Sequence, residues 1–156
     1  MMKFNIFKST LLLLAVLILG GCSTTSIPTY VRDDNPYKQK FYGSFEEILQ
    51  TAHQTLDKLD WDVSHTSDPA VFERNQIREG SDAKQIVLLT KVRQFPLFFG
   101  TRYGRINVFL RETADNAVEV EVRYVTVTAI LFKNFYQYKH DVAAKRILKN
   151  IEEQLN

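Results

Sequence analysis

The chain is 156 residues long, 45% apolar and 24% charged, with one cysteine and a formal charge of +2. That is one domain's worth of globular material, too apolar for a disordered chain and too short for an elaborate multidomain enzyme. Residues 1–21 hold Lys3 and Lys8 and no acid, which leaves 18 of the 20 basic side chains against 18 acidic ones, so a phosphate-neutralising nucleic-acid binder is disfavoured.

Residues 1–8 form a short basic stretch, and residues 11–19 are an unbroken run of Leu, Ala, Val and Ile closed by Gly20 and Gly21. This is the layout of a secretory signal peptide, expected over residues 1–21. A transmembrane helix needs roughly 20 apolar residues, and this run falls well short. The segment ends in Leu19-Gly20-Gly21-Cys22, which resembles the lipobox of bacterial lipoproteins. The resemblance implies diacylglyceryl transfer to the Cys22 sulfur, cleavage between Gly21 and Cys22, and acylation of the new amine. Small residues let the protease reach the backbone, and only a thiolate forms the thioether. At about 0.8 kcal/mol per buried CH₂, two or three acyl chains exceed what one chain holds reversibly, so stable membrane anchoring through Cys22 is expected. Ser23, which is not Asp, implies by the family's sorting pattern the periplasmic face of the outer membrane. With Cys22 acylated, no thiol remains for a disulfide, and the fold must stand on its core.

Residues 22–40 read as a lipidated N-terminus and flexible tether, broken by Pro28 and Pro36. Such a tether spans about 25 Å as a coil and roughly 60 Å when stretched. Tyr30, Val31 and Tyr37 are more apolar than a spacer needs, so part of it can lie on the domain as an edge strand. The domain itself is expected over residues 41–156.

Ser44-Phe45-Glu46-Glu47 is a capping box, and Phe45, Ile48, Leu49, Ala52, Leu56 and Leu59 recur at helical spacing, which predicts a helix to about Leu59. Trp61 and Val63 alternate with Asp62 and Ser64 as a short strand, and Asp68-Pro69 marks a turn. Residues 71–78 are a weak strand candidate, residues 80–82 a turn, and residues 84–93 a stronger strand. Residues 105–112 and 118–124 alternate apolar with polar side chains, joined by a tight connection at Ala114-Asp115-Asn116. Residues 141–155 place Ala144, Ile147, Leu148, Ile151 and Leu155 on one face of a second amphipathic helix. The expected architecture is α+β: a two-layer sandwich in which an antiparallel sheet of about four or five strands has an N-terminal and a C-terminal helix packed on one face. In element order this resembles the helix-grip domains of small outer-membrane lipoproteins.

His53, His65 and His140 show no metal-ligand spacing, no nucleophile motif is present, and the acid pairs have structural explanations at helix ends and faces. No enzyme, metal or cofactor is expected. A hydrolase would need a cleft in which one of those histidines meets a carboxylate and a hydroxyl.

Two features read as interaction surfaces. Residues 94–100, Gln-Phe-Pro-Leu-Phe-Phe-Gly, are bracketed by Lys91, Arg93, Arg102 and Arg105. If the hairpin pairs Thr113 with Ala117, Gly104 falls opposite Thr126, and the aromatic stretch at residues 130–136 emerges at the same end of the sheet. These aromatics either cap the core beneath the second helix or form an exposed aromatic and basic tip. Phe95, Leu97, Phe98, Phe99, Arg102, Tyr103, Phe132 and Phe135 are the candidate interface. The second feature is a change of phase: Glu119, Glu121 and Arg123 share their parity with Val125, Val127 and Ala129. Either a bulge resets the strand, or the outer sheet face turns apolar and joins Phe109 as a docking patch.

The expected function is that of a membrane-anchored periplasmic lipoprotein acting as a non-enzymatic binding or scaffold subunit in cell-envelope assembly or maintenance. Its partners would be the membrane, through Cys22, and an envelope protein. The alternative is a carrier that holds a lipid or other amphiphile between the C-terminal helix and the sheet.

Overall fold

A computed structural model describes residues 25–73, 83–113, 115–130, 133–138 and 141–156. The signal segment, Cys22, Ser23, the turn at residues 80–82, most of the weak strand candidate at residues 71–78, Ala114, Phe132 and His140 lie outside the described residues.

Ten elements follow in order: β1 (Tyr37–Tyr42), α1 (Phe45–Lys58), β2 (Val63–Ser67), a 3₁₀ turn (Pro69–Val71), β3 (Gln85–Thr90), β4 (Arg93–Leu97), β5 (Gly100–Thr113), β6 (Ala117–Ile130), β7 (Lys133–Gln137) and α2 (Asp141–Leu155). The fold is α+β, with seven strands among the described residues rather than four or five. All ladders among these strands are antiparallel.

The frame is the β5–β6 hairpin, whose pairing runs without a break from Thr113↔Ala117 to Thr101↔Ala129 and includes Gly104↔Thr126. Its proximal half is flanked by β3 and then β2 on one side and by β1 on the other. Its distal half is flanked by β4 and β7. The two additional strands pair only five residues each, at opposite edges, and carry little apolar alternation. β4 even contains Pro96, which an edge position tolerates because its missing N–H costs no ladder bond on the open side.

The predicted strand at residues 84–93 is two strands. Leu89 pairs with Asn107 and Arg93 with Gly104, so four steps along one chain answer three along β5. This one-residue offset is a bulge, and it reverses the parity of β4 relative to β3. Thr90 Oγ1 fills the gap by accepting from Ile106 N–H at 3.0 Å and donating to Ile106 C=O at 2.9 Å. The phase change on β6 needs no bulge of its own. Val125 and Val127 sit on the same face as Glu121 and Arg123, in unbroken register, and both are fully buried.

One buried cluster joins Phe45, Ile48, Ala52 and Leu56 of α1, Ala144, Ile147, Leu148 and Ile151 of α2, and the even-numbered residues of β5 and β6 from Ile106 to Leu110 and Val118 to Tyr124. At about 1.5–3 kcal/mol for each large aliphatic side chain, this inner-face cluster is the main source of stability. The Ser44 hydroxyl caps α1 by accepting from Glu47 N–H at 3.2 Å. The helix ends in a Schellman turn, with Asp60 in the left-handed region at φ 58° and Trp61 N–H returning to Leu56 C=O at 2.8 Å. That turn delivers Trp61 to the core.

The outer face is closed by the segment expected to be a tether. Thr25 Oγ1 donates to Asn134 Oδ1 at 3.3 Å, and Tyr136 OH donates to Ser26 C=O at 3.1 Å. Further along, Asn107 Nδ2 donates to Thr29 C=O at 3.2 Å, and Val31 N–H donates to Asn107 Oδ1 at 2.6 Å. Residues 25–31 therefore cross the outer face as a strap over the stretch that holds Val125 and Val127. Residues 37–42 then join the sheet edge beside β6. The tether reading is corrected from Thr25 onward. Val31 is fully buried, and the second cluster of Val87, Leu89 and Phe109 packs against Tyr30 and Phe72. The apolar outer patch is thus covered by the chain itself. Residues 71–73 belong to the 3₁₀ turn and its exit rather than to a strand, because Asp68 caps the turn by accepting from Ala70 N–H at 2.8 Å.

Candidate functional site

The distal end of the sheet gathers most of the expected interface residues. Leu97 pairs with Gly100, which leaves Phe98 and Phe99 as the two residues of a tight turn. Gly100 sits at φ 147°, and a Cβ there would lie 2.2 Å from the Ala129 carbonyl oxygen, so only glycine fits. The turn projects its side chains outward. Phe98 is 92% and Phe99 74% exposed, and the two rings meet edge to face with centroids 4.5 Å apart. Ile130, Leu97 and Phe135 are also exposed at this end. No Asp or Glu occurs in residues 91–111 or 122–140. Arg102 and Lys133 are both exposed, with Arg102 Nε donating to Thr128 Oγ1 at 3.2 Å.

The remaining candidates divide between the two faces. Phe95 turns inward, partly buried, with its ring centroid 6.2 Å from that of Trp61 and the Arg93 guanidinium 5.1 Å above it. Tyr103 is half-buried and pairs with Gln94 and Val127. Phe135 pairs with Thr128, in the row of Arg102 and Phe95. Phe132 and Cys22 lie outside the described residues. The expected aromatic set is therefore not one surface: the bulge before β4 sends Phe95 to the core side, while the turn exposes Phe98 and Phe99.

Phe95 helps to line a groove of about 400 Å³ between the start of α2 and the distal half of the sheet. Trp61, Tyr124 and Ile147 supply its apolar wall, and Arg93, Arg102 and Arg146 supply positive charge. Gly104 shapes the floor, since a Cβ there would come within 2.9 Å of the Tyr124 hydroxyl and 3.2 Å of Phe95. Burial pushes the Tyr124 phenol above its ordinary value. Arg93 is fixed by donating to Leu59 C=O at 2.8 Å and by Asp60 at 3.3 Å. Trp61, Tyr124 and Arg146 belong to this groove but not to the sequence-derived set, because they come from three elements remote in sequence.

The outer face holds a buried ionic network that the sequence does not announce. Arg123 bonds Glu121, lies 2.7 Å from Glu73, and stacks over Phe109 with its guanidinium carbon 4.0 Å from the ring centroid. Tyr30 donates to Glu73 and accepts from Arg123 at 2.6 Å, and Lys38 meets Glu121 at 2.9 Å. Burial would raise the Glu73 carboxyl, but hydrogen bonds from Tyr30 and Arg123 outweigh it and hold Glu73 below the usual range. Burial and the bond to Glu73 together push the Tyr30 phenol well above its ordinary value. Burial lowers the affinity of Arg123 for its proton, yet Glu121 and Glu73 more than restore it. The network fastens the strap and the 3₁₀ segment to the sheet: Arg123 also donates to Val31 C=O at 3.3 Å. Beside it, Arg105 has two guanidinium nitrogens sealed from solvent with no hydrogen-bond partner among the described residues, and burial pulls its pKa down.

His65 is exposed on β2, where its Nδ1 meets the adjacent Ser64 hydroxyl at 3.1 Å, and His53 lies on α1 in a shallow groove that also contains Asp57. No group of three or more metal-ligating side chains occurs among the described residues, and no helix among them is long and apolar enough to cross a membrane. No family model matches the chain, and no curated protein or solved structure matches it.

Proposed function

We propose that the protein is a lipoprotein acylated at Cys22, held at the periplasmic face of the outer membrane, whose domain works by binding as an accessory or scaffold subunit in envelope assembly or maintenance. Phe98, Phe99 and Arg102 are its first contact residues, Phe95 being turned to the core side. The observation that carries the reading is the Phe98-Phe99 turn: two large rings held out in solvent, doing nothing for the core, on strands whose residues 91–111 and 122–140 contain no Asp or Glu. Both helices then serve to cover one sheet face while the strap covers the other, which leaves the distal end as the working surface. Affinity purification of the acylated protein from its own membrane tests this. A co-purifying envelope component, reduced by Phe98→Ser with Phe99→Ser, supports it; a partnerless protein whose substituted form behaves as wild type counts against it.

The groove favours a second reading, as a carrier of an anionic amphiphile. Its 400 Å³ lies at the lower end of ligand-pocket sizes, with aromatic walls for an acyl or ring system and three arginines for an anionic head. Lipid extracted from the purified protein at one molecule per chain would support the carrier; a lipid-free preparation that binds no fatty acid would remove it.

A further inference from the structure

We infer that the Phe98-Phe99 turn inserts into the same bilayer that holds the acyl chains on Cys22, so that the domain lies directly against its membrane rather than hanging from a spacer. The inference rests on the lipid-anchor reading above and specifies what the exposed turn meets.

The strap decides where the anchor is. Thr25 and Ser26 are bonded to Asn134 and Tyr136 of β7, at the distal end of the sheet. From Thr25 back to Cys22 there are three residues of chain, which reach about 11 Å at most. Asn134 pairs with Ala129, and Ala129 with Thr101, which adjoins Gly100 at the Phe98-Phe99 turn. With strands about 4.8 Å apart, Asn134 lies roughly 10 Å across the sheet from the row that leads into that turn. Anchor and turn therefore leave the domain at one end, which keeps the turn within reach of the headgroups. The spacing freedom that residues 25–31 would give as a loose coil is removed by their bonds to Asn107, Arg123, Asn134 and Tyr136.

The chemistry of this end suits a phosphate-rich interface over an apolar interior. The rings of Phe98 and Phe99 supply the inserting surface, and Arg102 and Lys133 supply charge at the headgroup level. No carboxylate in residues 23–32, 91–111 or 122–140 opposes them. The other end of the long hairpin, at Asp115, lies fourteen residues of strand away, roughly 45 Å, and faces away from the membrane.

The test uses the full acylated chain in vesicles of phosphatidylethanolamine and phosphatidylglycerol, spin-labelled through Phe98→Cys or, separately, Asp115→Cys. The expected result is loss of collisions with a water-soluble nickel chelate at position 98, with oxygen collisions retained, while position 115 stays open to nickel. Phe99→Cys repeats the measurement should the first label disturb the turn. Acylated Cys22 with position 98 as open to nickel as position 115 overturns the inference and leaves the anchor standing. Spin–spin broadening between labels at position 98 assigns the turn to a second copy and overturns it as well. An unmodified Cys22 in protein isolated from its native membrane overturns the anchor reading, and the orientation falls with it.

Discussion

Replacing Asn107 with leucine removes the residue that holds the middle of the strap. Asn107 is fully buried; it accepts from Val31 N–H at 2.6 Å and donates to Thr29 C=O at 3.2 Å. In Asn107→Leu both backbone groups lose this partner while the strap is closed, and Val31 N–H recovers water when it opens. Val31 is buried whereas Thr29 is exposed and its carbonyl can take water in place of Asn107, so one buried group is left unsatisfied and the closed strap is destabilised by about 1–3 kcal/mol relative to the open one. Even the lower figure raises the population of the open form about 5-fold. Val31 still favours closure, at about 1.5–3 kcal/mol for a buried valine. Trypsin reads the opening at Arg32, whose exposed side chain lies one residue beyond the fully buried Val31. When opening and closing are fast relative to cleavage, the rate at Arg32 follows the open population. The variant is expected to be cut at Arg32 at least about 5 times faster than wild type, with hydrogen exchange in the centre of β5 and β6 unchanged. Equal cleavage rates, or cleavage that appears only with loss of protection throughout β5 and β6, would refute a separately opening strap.

Four other outcomes follow from the same geometry. Arg105→Met is expected to raise the urea midpoint, by about 1–3 kcal/mol in stability, because two guanidinium nitrogens of Arg105 are sealed and have no hydrogen-bond partner among the described residues; a lower midpoint would contradict this. Glu73 has a depressed folded pKa, so its contribution is complete above the unfolded value of about 4.3 and disappears as the pH falls through the folded value. Glu73→Gln should therefore cost about 1–3 kcal/mol at pH 7 and progressively less in denaturation curves recorded below pH 4. Gly100→Ala places a Cβ against the Ala129 carbonyl at φ 147° and should cost at least about 2 kcal/mol, measured by chemical denaturation. Phe98→Ser with Phe99→Ser should leave stability within about 0.5 kcal/mol of wild type, since neither ring supports the core; a larger loss would mean that the turn is structural.

Features carried by residues close in the chain could be read directly from it. The Ser44 cap and the apolar spacing after it give α1, and the single apolar face of residues 141–155 gives α2, because helical bonds and faces repeat within four residues. The Thr113↔Ala117 turn propagates by simple counting to Gly104↔Thr126, which placed the two aromatic segments at one end. Counting stopped working at Thr90–Val92, where a bulge outside the hairpin reversed the parity of β4 and separated Phe95 from Phe98 and Phe99.

The amino-acid sequence by itself determined the helices, the central hairpin, and the meeting of aromatic and basic residues at its far end, since each depends on local periodicity or on register counted from one turn. Only the tertiary structure decided what becomes of the second sheet face. Val125 and Val127 look like an exposed patch until the strap is laid over them, and the strap is held by Asn107 and Arg123, more than 70 residues away along the chain. Burial is a property of both covering segments together. No window of neighbouring residues contains it, and for that reason a stretch with the composition of a linker became part of the fold.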